Sequence, residues 1–444
     1  MRLDLKGLLA AIPDSESTPP LYYGLAWGWT QLFGSGEVGL RSLSALAGVL
    51  TVPATYAAGS ALLSRRAGLA AAALVAVNPF LVWYGQEARS YGLLVLLATL
   101  AVWAAIRGRP LLWALASVLA LATHYFALFA VAPLAVWLLL SGGAGRLRSR
   151  ALAVGAVAVG GLALLPLAVR QASGARAAFI EDTSLPTRLV QVPKQFLVGF
   201  DSPLEALVTA LALALALVIV AAGLGRGSRS ERGGVWTALG LAGFAVLVPV
   251  ALALGGADYV LARNLIVALV PCLLVLGGAI ALSRLAATAG AALALLSLAL
   301  IGAVALRPEL QRDDWRGAAE ALGEASTGRA IVVVPASGTI PLEVYRPRAR
   351  PAPTDLLVAS EVALVGLGGR PPGGGVAPPR TTGNPLPDPP FGPARRALEP
   401  TWTVLRVPMT APTPFPDDGL TYYRLGYAPA AVLVEPGPSV RPAG

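Results

Sequence analysis

Residues 64–107 read SRRAGLAAAALVAVNPFLVWYGQEARSYGLLVLLATLAVWAAIR. Two apolar runs, 67–85 and 88–106, are joined with almost no loop at Tyr84-Gly85-Gln86-Glu87-Ala88-Arg89-Ser90-Tyr91, and arginines close their far ends at Arg65, Arg66 and Arg107. Each run has close to the ~20 residues that a bilayer core requires, so the stretch reads as a membrane hairpin. The same pattern extends outward through 38–62, 110–126, 127–141, 151–170, 204–224, 235–255, 265–283 and 286–306, about ten spans in all. Arg65 and Arg66, Arg107 and Arg109, Arg146, Arg148 and Arg150, Arg226, Arg229 and Arg232, and Arg284 fall on alternate connectors, with Glu231 as their only acid. By the positive-inside rule that side is cytoplasmic. The other connectors hold the acids, His124 and several cations, so chemistry is expected on the outer face.

Composition supports this reading. Of 444 residues 56% are hydrophobic and 13% charged, with mean hydropathy +0.68, which excludes a soluble globular domain or a disordered chain. The net charge of +10 is largely the charge of the cytoplasmic loops, and no basic stripe with interleaved aromatics suggests nucleic acid. Cys272 is the single cysteine, so an internal disulfide and a cysteine-based metal site are excluded.

Three regions follow. Residues 1–37 form an outer loop with interfacial helices, 38–306 the transmembrane domain, and 307–444 an extracytoplasmic tail. A further interfacial helix is expected within the outer loop 171–203, where Phe179, Leu185, Leu189, Val192 and Phe196 recur among polar residues. In the tail, Asp313 to Gly323 predicts a helix and Arg329 to Pro335 a strand. Thr401 to Val407 and Ala430 to Val434 could add strands to a small α/β module, and Pro351 to Pro400 reads as irregular linker.

Four outer constellations could carry chemistry. Asp14 and Glu16, stiffened by Pro19 and Pro20, offer a base or a cation ligand. Glu87 and Arg89 sit at the membrane boundary, where ionisable groups are costly; they form either a mutual ion pair or a site in which Arg89 meets a phosphate. His124, beside Tyr125, is either structural or a ligand, and no second histidine exists to build a multi-histidine zinc site. Arg263, with Arg170, Arg176, Arg188 and Lys194, opposes the positive-inside bias, and either a lipid phosphate or bilayer headgroups would hold them there.

Thr18-Pro19-Pro20-Leu21-Tyr22-Tyr23, Gly36-Glu37-Val38-Gly39-Leu40-Arg41, Ser64-Arg65-Arg66-Ala67-Gly68, Gln86-Glu87-Ala88-Arg89-Ser90-Tyr91, Thr123-His124-Tyr125 and Asp314-Trp315-Arg316 together resemble the bacterial branch of the GT-C glycosyltransferases, related to protein O-mannosyltransferases and the lipid A aminoarabinose transferase. The resemblance spans roughly 1–335. It implies a mainly α, polytopic transferase that moves a mannose-like hexose or a pentose from a polyprenyl-phosphate donor to a glycan, lipid or protein acceptor of the cell envelope. It implies Glu16 as a catalytic acid, Arg89 and Arg263 near the donor phosphate, and His124 in the matching hairpin turn; the constellations above add Asp14 and Glu87 as candidate catalytic carboxylates, Arg170 and Lys194 as candidate phosphate ligands, and Tyr22, Tyr23, Gln86 and Tyr125 as candidates around the sugar or acceptor. The family's Asp-Glu pair at the end of its first span is missing here, and we expect the native protein to carry that span ahead of Met1; a chain truly starting at Met1 would be impaired. Glu16 stands where a further family acid lies, with Thr18 where His is frequent, which leaves a divalent metal held by Glu16 and His124 open. The Ala, Gly, Arg and Pro bias points to a GC-rich genome and a bacterial plasma membrane. The alternatives are a non-catalytic relative and a polytopic transporter of lipid or sugar, the latter expected to show broken spans in paired positions.

Overall fold

The computed structural model describes residues 4–141, 147–172, 180, 183–223, 226–307, 310–312, 314–321, 329–334, 339–345, 357–359, 361–367, 413–414, 420–424, 432–434 and 440–442. The chain divides into two compact units, Met1–Ala303 and Val304–Gly444.

The first unit is helical. Helices α1 (Leu5–Ser15) and α2 (Leu21–Phe33) precede α3 (Glu37–Leu62), α4 (Arg65–Ala76), α5 (Pro79–Gly85), α6 (Tyr91–Ile106), α7 (Pro110–Thr123), α8 (Leu128–Leu140), α9 (Leu147–Ala172), α10 (Leu185–Val198), α11 (Glu205–Gly223), α12 (Arg229–Leu254), α13 (Leu269–Leu282) and α14 (Arg284–Leu306). Helices α3, α9, α11, α12 and α14 are long and apolar enough to cross a membrane, and α4 with α5 makes a sixth candidate, bent by 59°. The protein is a multi-pass membrane protein. Of the ten expected spans six are supported by length and composition; the other four are the apolar but shorter helices α6, α7, α8 and α13. The 16 residues of α6 rise about 24 Å, less than the ~30 Å of a typical hydrocarbon core.

The single span expected over 67–85 is broken for a local reason. Asn78 caps α5, its Oδ1 accepting from the Leu81 N–H at 3.0 Å, and Pro79 takes the first helical position, where no N–H is needed. The Asn78 Nδ2 donates to the Phe196 carbonyl of α10 at 2.8 Å, which ties the break to the amphipathic helix. Elsewhere small residues let helices touch. A Cβ on Gly59 would lie 2.7 Å from the Gly68 Cα, and one on Gly277 would lie 2.6 Å from the Ala67 carbonyl oxygen, so α4 packs against α3 on one side and α13 on the other.

In the second unit, β1 (Arg329–Val334), β2 (Leu357–Ala359), β3 (Glu361–Leu367), β4 (Thr413–Pro414), β5 (Leu420–Arg424), β6 (Val432–Val434) and β7 (Val440–Pro442) accompany α15 (Trp315–Ala321) and α16 (Thr339–Tyr345). The larger sheet runs β4-β5-β3-β1-β7, with β1 and β3 parallel and the other pairs antiparallel; β2 pairs with β6. The helix and the first strand fall where expected. Within 351–400, expected as irregular linker, the described residues are the strands β2 and β3: the alternating run Glu361 to Leu367 finds a parallel partner in β1 through a crossover that contains α16, and the rest of that stretch lies outside the described residues. Residues 401–407 lie outside the described residues.

Candidate functional site

At one end of the helical unit a cavity of about 350 Å³ is lined by Glu16, Ser17, Thr18, Tyr23, Arg89, Ser90, Tyr91, His124, Tyr125, Phe126, Ala168, Gln171, Ala172, Ile180, Tyr259, Leu261, Arg263 and Asn264. Its lining comes from the α1–α2 connection, the α5–α6 turn, the α7–α8 turn, the end of α9 and the segment between α12 and α13. These are the connectors that alternate with the arginine-rich ones. The volume lies in the range of small-molecule sites, and the lining mixes cations, a carboxylate and aromatic walls.

The first wall is acidic. Glu16 ends α1, and its Oε2 accepts from the Tyr23 hydroxyl at 2.5 Å; that hydroxyl lies 3.1 Å from the Thr18 Oγ1. Burial, then the Glu16 carboxylate, raises the Tyr23 pKa, so the phenol keeps its proton and holds the carboxylate in place. The opposite wall is cationic. Arg89 is exposed to the cavity space and hydrogen-bonded to Tyr91. Burial works to lower its pKa, but Tyr91, Glu87, Tyr23 and Glu16 together outweigh it and raise the value. Arg263, half-buried, faces the same space, and Asn264 is fixed by donating to the Tyr259 carbonyl at 2.7 Å.

Two buried arrangements hold the site from behind. Ser44 of α3 donates to the Arg89 carbonyl at 3.1 Å, and its Oγ lies 2.7 Å from the Tyr22 hydroxyl. Arg188 of α10, 6% exposed, makes a two-pronged ion pair with Asp258 and donates to the Val260 carbonyl at 2.7 Å and, through Nε, to the Thr183 carbonyl at 2.8 Å. The guanidinium thereby clamps the start of the segment that carries Tyr259, Arg263 and Asn264.

Of the residues singled out from sequence, the cavity gathers Glu16, Tyr23, Arg89, His124, Tyr125 and Arg263. Arg188 stands behind it as described, Arg176 lies outside the described residues, and six others stand elsewhere. Asp14 and Arg170 pair with each other at an exposed position, 2.8 Å apart. Lys194 donates to the Phe200 carbonyl and pairs with Glu205 at 3.1 Å. Tyr22 is 1% exposed beneath the cavity, Gln86 is exposed at the end of α5, and Glu87 acts on Arg89 and Tyr91 through its charge without lining the space. Gln171 was not foreseen. It is buried, accepts from the Tyr125 hydroxyl at 2.8 Å and donates to the Ile12 and Thr18 carbonyls at 3.2 Å each, joining α9 to the α1–α2 connection. A polar side chain in the last turn of an apolar helix is the signal that could have found it. Among the described residues no group of three or more His, Cys, Asp or Glu gathers where it could hold a metal ion.

A bundle of apolar helices with a half-polar cavity among its connectors, lined by two arginines and a carboxylate, defines a multi-pass membrane protein with a polar pocket where its helices meet their connectors. Residues 17–169, about a third of the chain, match the model of a family described as dolichyl-phosphate-mannose-protein mannosyltransferase. This match contains Tyr23, Arg89, His124 and Tyr125, while Glu16 stands one residue before it and Arg263 beyond it. No curated protein matches the chain.

Proposed function

We propose that the chain is a glycosyltransferase that moves a hexose or pentose from a polyprenyl-phosphate donor to a cell-envelope acceptor at the outer face of a bacterial plasma membrane. One observation carries the reading: Glu16, Arg89 and Arg263 share a single cavity at the end of a membrane bundle whose first part matches a mannosyltransferase family. In the reaction the acceptor oxygen forms a bond to the anomeric carbon as the bond from that carbon to the phosphate oxygen breaks. The electron pair leaves with the polyprenyl phosphate, whose growing charge Arg89 and Arg263 neutralise in a partly desolvated site. The acceptor proton passes to a carboxylate, for which Glu16 is the residue in the cavity. Lipid chains would remain among the apolar helices, so only the head group need enter.

The test is transfer from labelled polyprenyl-phosphate mannose by the full chain in lipid nanodiscs. Arg89→Ala should lower the rate by about 100-fold or more, in the range of a lost electrostatic contact to a developing charge, with insertion unaffected. Full activity in that variant would remove Arg89 from the site. A transporter is less well supported, since among the described residues one helix pair is broken, α4 with α5, and no second pair answers it.

A further inference from the structure

His124 is the single histidine of the chain, and the fold fixes its chemical state by geometry. Helix α7 ends at Thr123, His124 is extended with φ −160° and ψ 132°, and the 3-10 turn Tyr125–Ala127 follows. The ring caps that turn: its Nδ1 accepts the Phe126 backbone N–H at 3.2 Å. A backbone N–H can be given only to a lone pair, so Nδ1 is unprotonated and the proton of the neutral ring is on Nε2. The ring is 3% exposed, lies in the cavity wall, and packs between Tyr91 at 5.5 Å and Phe126 at 5.2 Å between centroids. The groups that share this cavity with it are Arg263 and Tyr259 from the segment before α13, Arg89 from the α5–α6 turn, Glu16 and Tyr23 from the first connection, and its neighbour Tyr125; Glu87 adds its charge through Arg89 and Tyr91.

Protonating the ring would set a second N–H against that of Phe126 and a second cation near Arg263. Burial first, then Arg263, accordingly lowers the pKa of His124 to about 3. Metal ligation meets the same obstacle, because a neutral imidazole that binds a cation through Nε2 must carry its proton on Nδ1.

We propose that His124 is a permanently neutral Nε2–H donor that binds an oxygen of the sugar phosphate in the cavity, and serves neither as proton carrier nor as metal ligand. The ligand half of this statement rests on the proposed function. The protonation half does not. A site that must recognise a sugar phosphate beside two arginines gains a directed donor without adding a third charge, so the phosphate can leave after transfer.

Because one histidine is present, protein labelled with nitrogen-15 at histidine gives a single imidazole, read by NMR in nanodiscs. The expected result is a lone-pair nitrogen at Nδ1 and a protonated Nε2, both unchanged between about pH 5 and 8, where an ordinary histidine titrates. Zinc ions added alone should leave the signals in place. A titration near the ordinary histidine value, a proton on Nδ1, or a zinc-induced shift would overturn the proposal. Short-chain polyprenyl-phosphate mannose should move the Nε2–H signal downfield; saturable binding without that movement would overturn the ligand contact. If the donor does not bind at all, the transferase reading and the contact fall together, while the tautomer is judged by the ligand-free spectrum. His124→Phe should weaken donor binding about 10- to 100-fold, and His124→Gln, which keeps an N–H donor, by less. Equal binding by wild type and His124→Phe would also overturn the contact.

Discussion

Tyr22 and Tyr23 show what one helical step decides. Neighbours on a helix diverge by about 100° around the axis, so one ring faces Glu16 and the other the interior of the bundle. The aromatic pair was legible as a feature of the site, but the sequence of a helix with apolar residues on several sides does not say which tyrosine looks inward. The structure assigns Tyr22 to support. Ser44 has one hydroxyl proton and gives it to the Arg89 carbonyl, so the Tyr22 hydroxyl must be the donor in the 2.7 Å contact between them. Ser44→Ala removes the centre of this relay and leaves a buried phenol and a carbonyl without their partner, a cost of about 1–3 kcal/mol. Tyr22→Phe removes only the outer link. Thermal unfolding should therefore rank wild type above Tyr22→Phe above Ser44→Ala, and affinity for polyprenyl-phosphate mannose should fall in the same order. Equal affinity in all three would separate the relay from the placement of Arg89. Glu16, Arg89 and His124 were legible for the opposite reason: an ionisable side chain at the edge of an apolar run is costly and therefore conspicuous.

Elements were legible where hydrophobicity alone defines them. All ten apolar runs became helices, but their lengths were not readable, since Asn78-Pro79 divides one run and a 3-10 turn shortens another. Nor could sequence pair Arg188 with Asp258, which are 70 residues apart and meet only when α10 lies against the segment before α13. That clamp makes an element-level prediction. The hydrogen bonds from Arg188 hold the Asp258 carboxyl below its ordinary pKa. A carboxyl with a depressed folded-state pKa contributes stability above its unfolded value, near 3.9, and loses that contribution as pH falls through the folded value. His124 acts in a higher window: the unfolded chain takes up a proton near pH 6.5 and the folded chain only near 3, so stability declines as pH falls between these values. Melting followed against pH should thus show an acid limb beginning below about pH 6.5 that is reduced in His124→Gln and a further decline below about pH 4 that is reduced in Asp258→Asn. At neutral pH, Asp258→Asn strands the Arg188 charge and should cost about 3–5 kcal/mol, more than the double change Arg188→Met with Asp258→Leu. Both should weaken donor binding, because both release the segment that carries Arg263.

On the scale of the whole molecule, the alternation of arginine-rich and arginine-poor connectors bears on the cavity itself. Residues 16–18, 89–90, 124–126, 168–172 and 259–264 meet in one space although each is separated in the chain from the next by apolar stretches and an arginine-bearing connector. Such a meeting requires those stretches to run away from the cavity and return, the short helices included. If the positive-inside rule orients the bundle, the cavity faces outward, as a lipid-linked sugar presented at the outer leaflet would need. Cysteine labelling decides this. In a Cys272→Ala background, Ser35→Cys in the α2–α3 connection and Ser230→Cys in the first turn of α12, beside Arg229 and Arg232, are exposed positions on connectors that the alternation assigns to opposite sides. A maleimide that cannot cross membranes should label Ser35→Cys in intact cells and reach Ser230→Cys only after permeabilisation. The reverse pattern would turn the cavity towards the cytoplasm and remove the outer-face acceptor from the mechanism. Labelling Arg307→Cys, which directly follows α14, then reads the side on which the tail begins, and the alternation of connectors predicts that it labels together with Ser35→Cys.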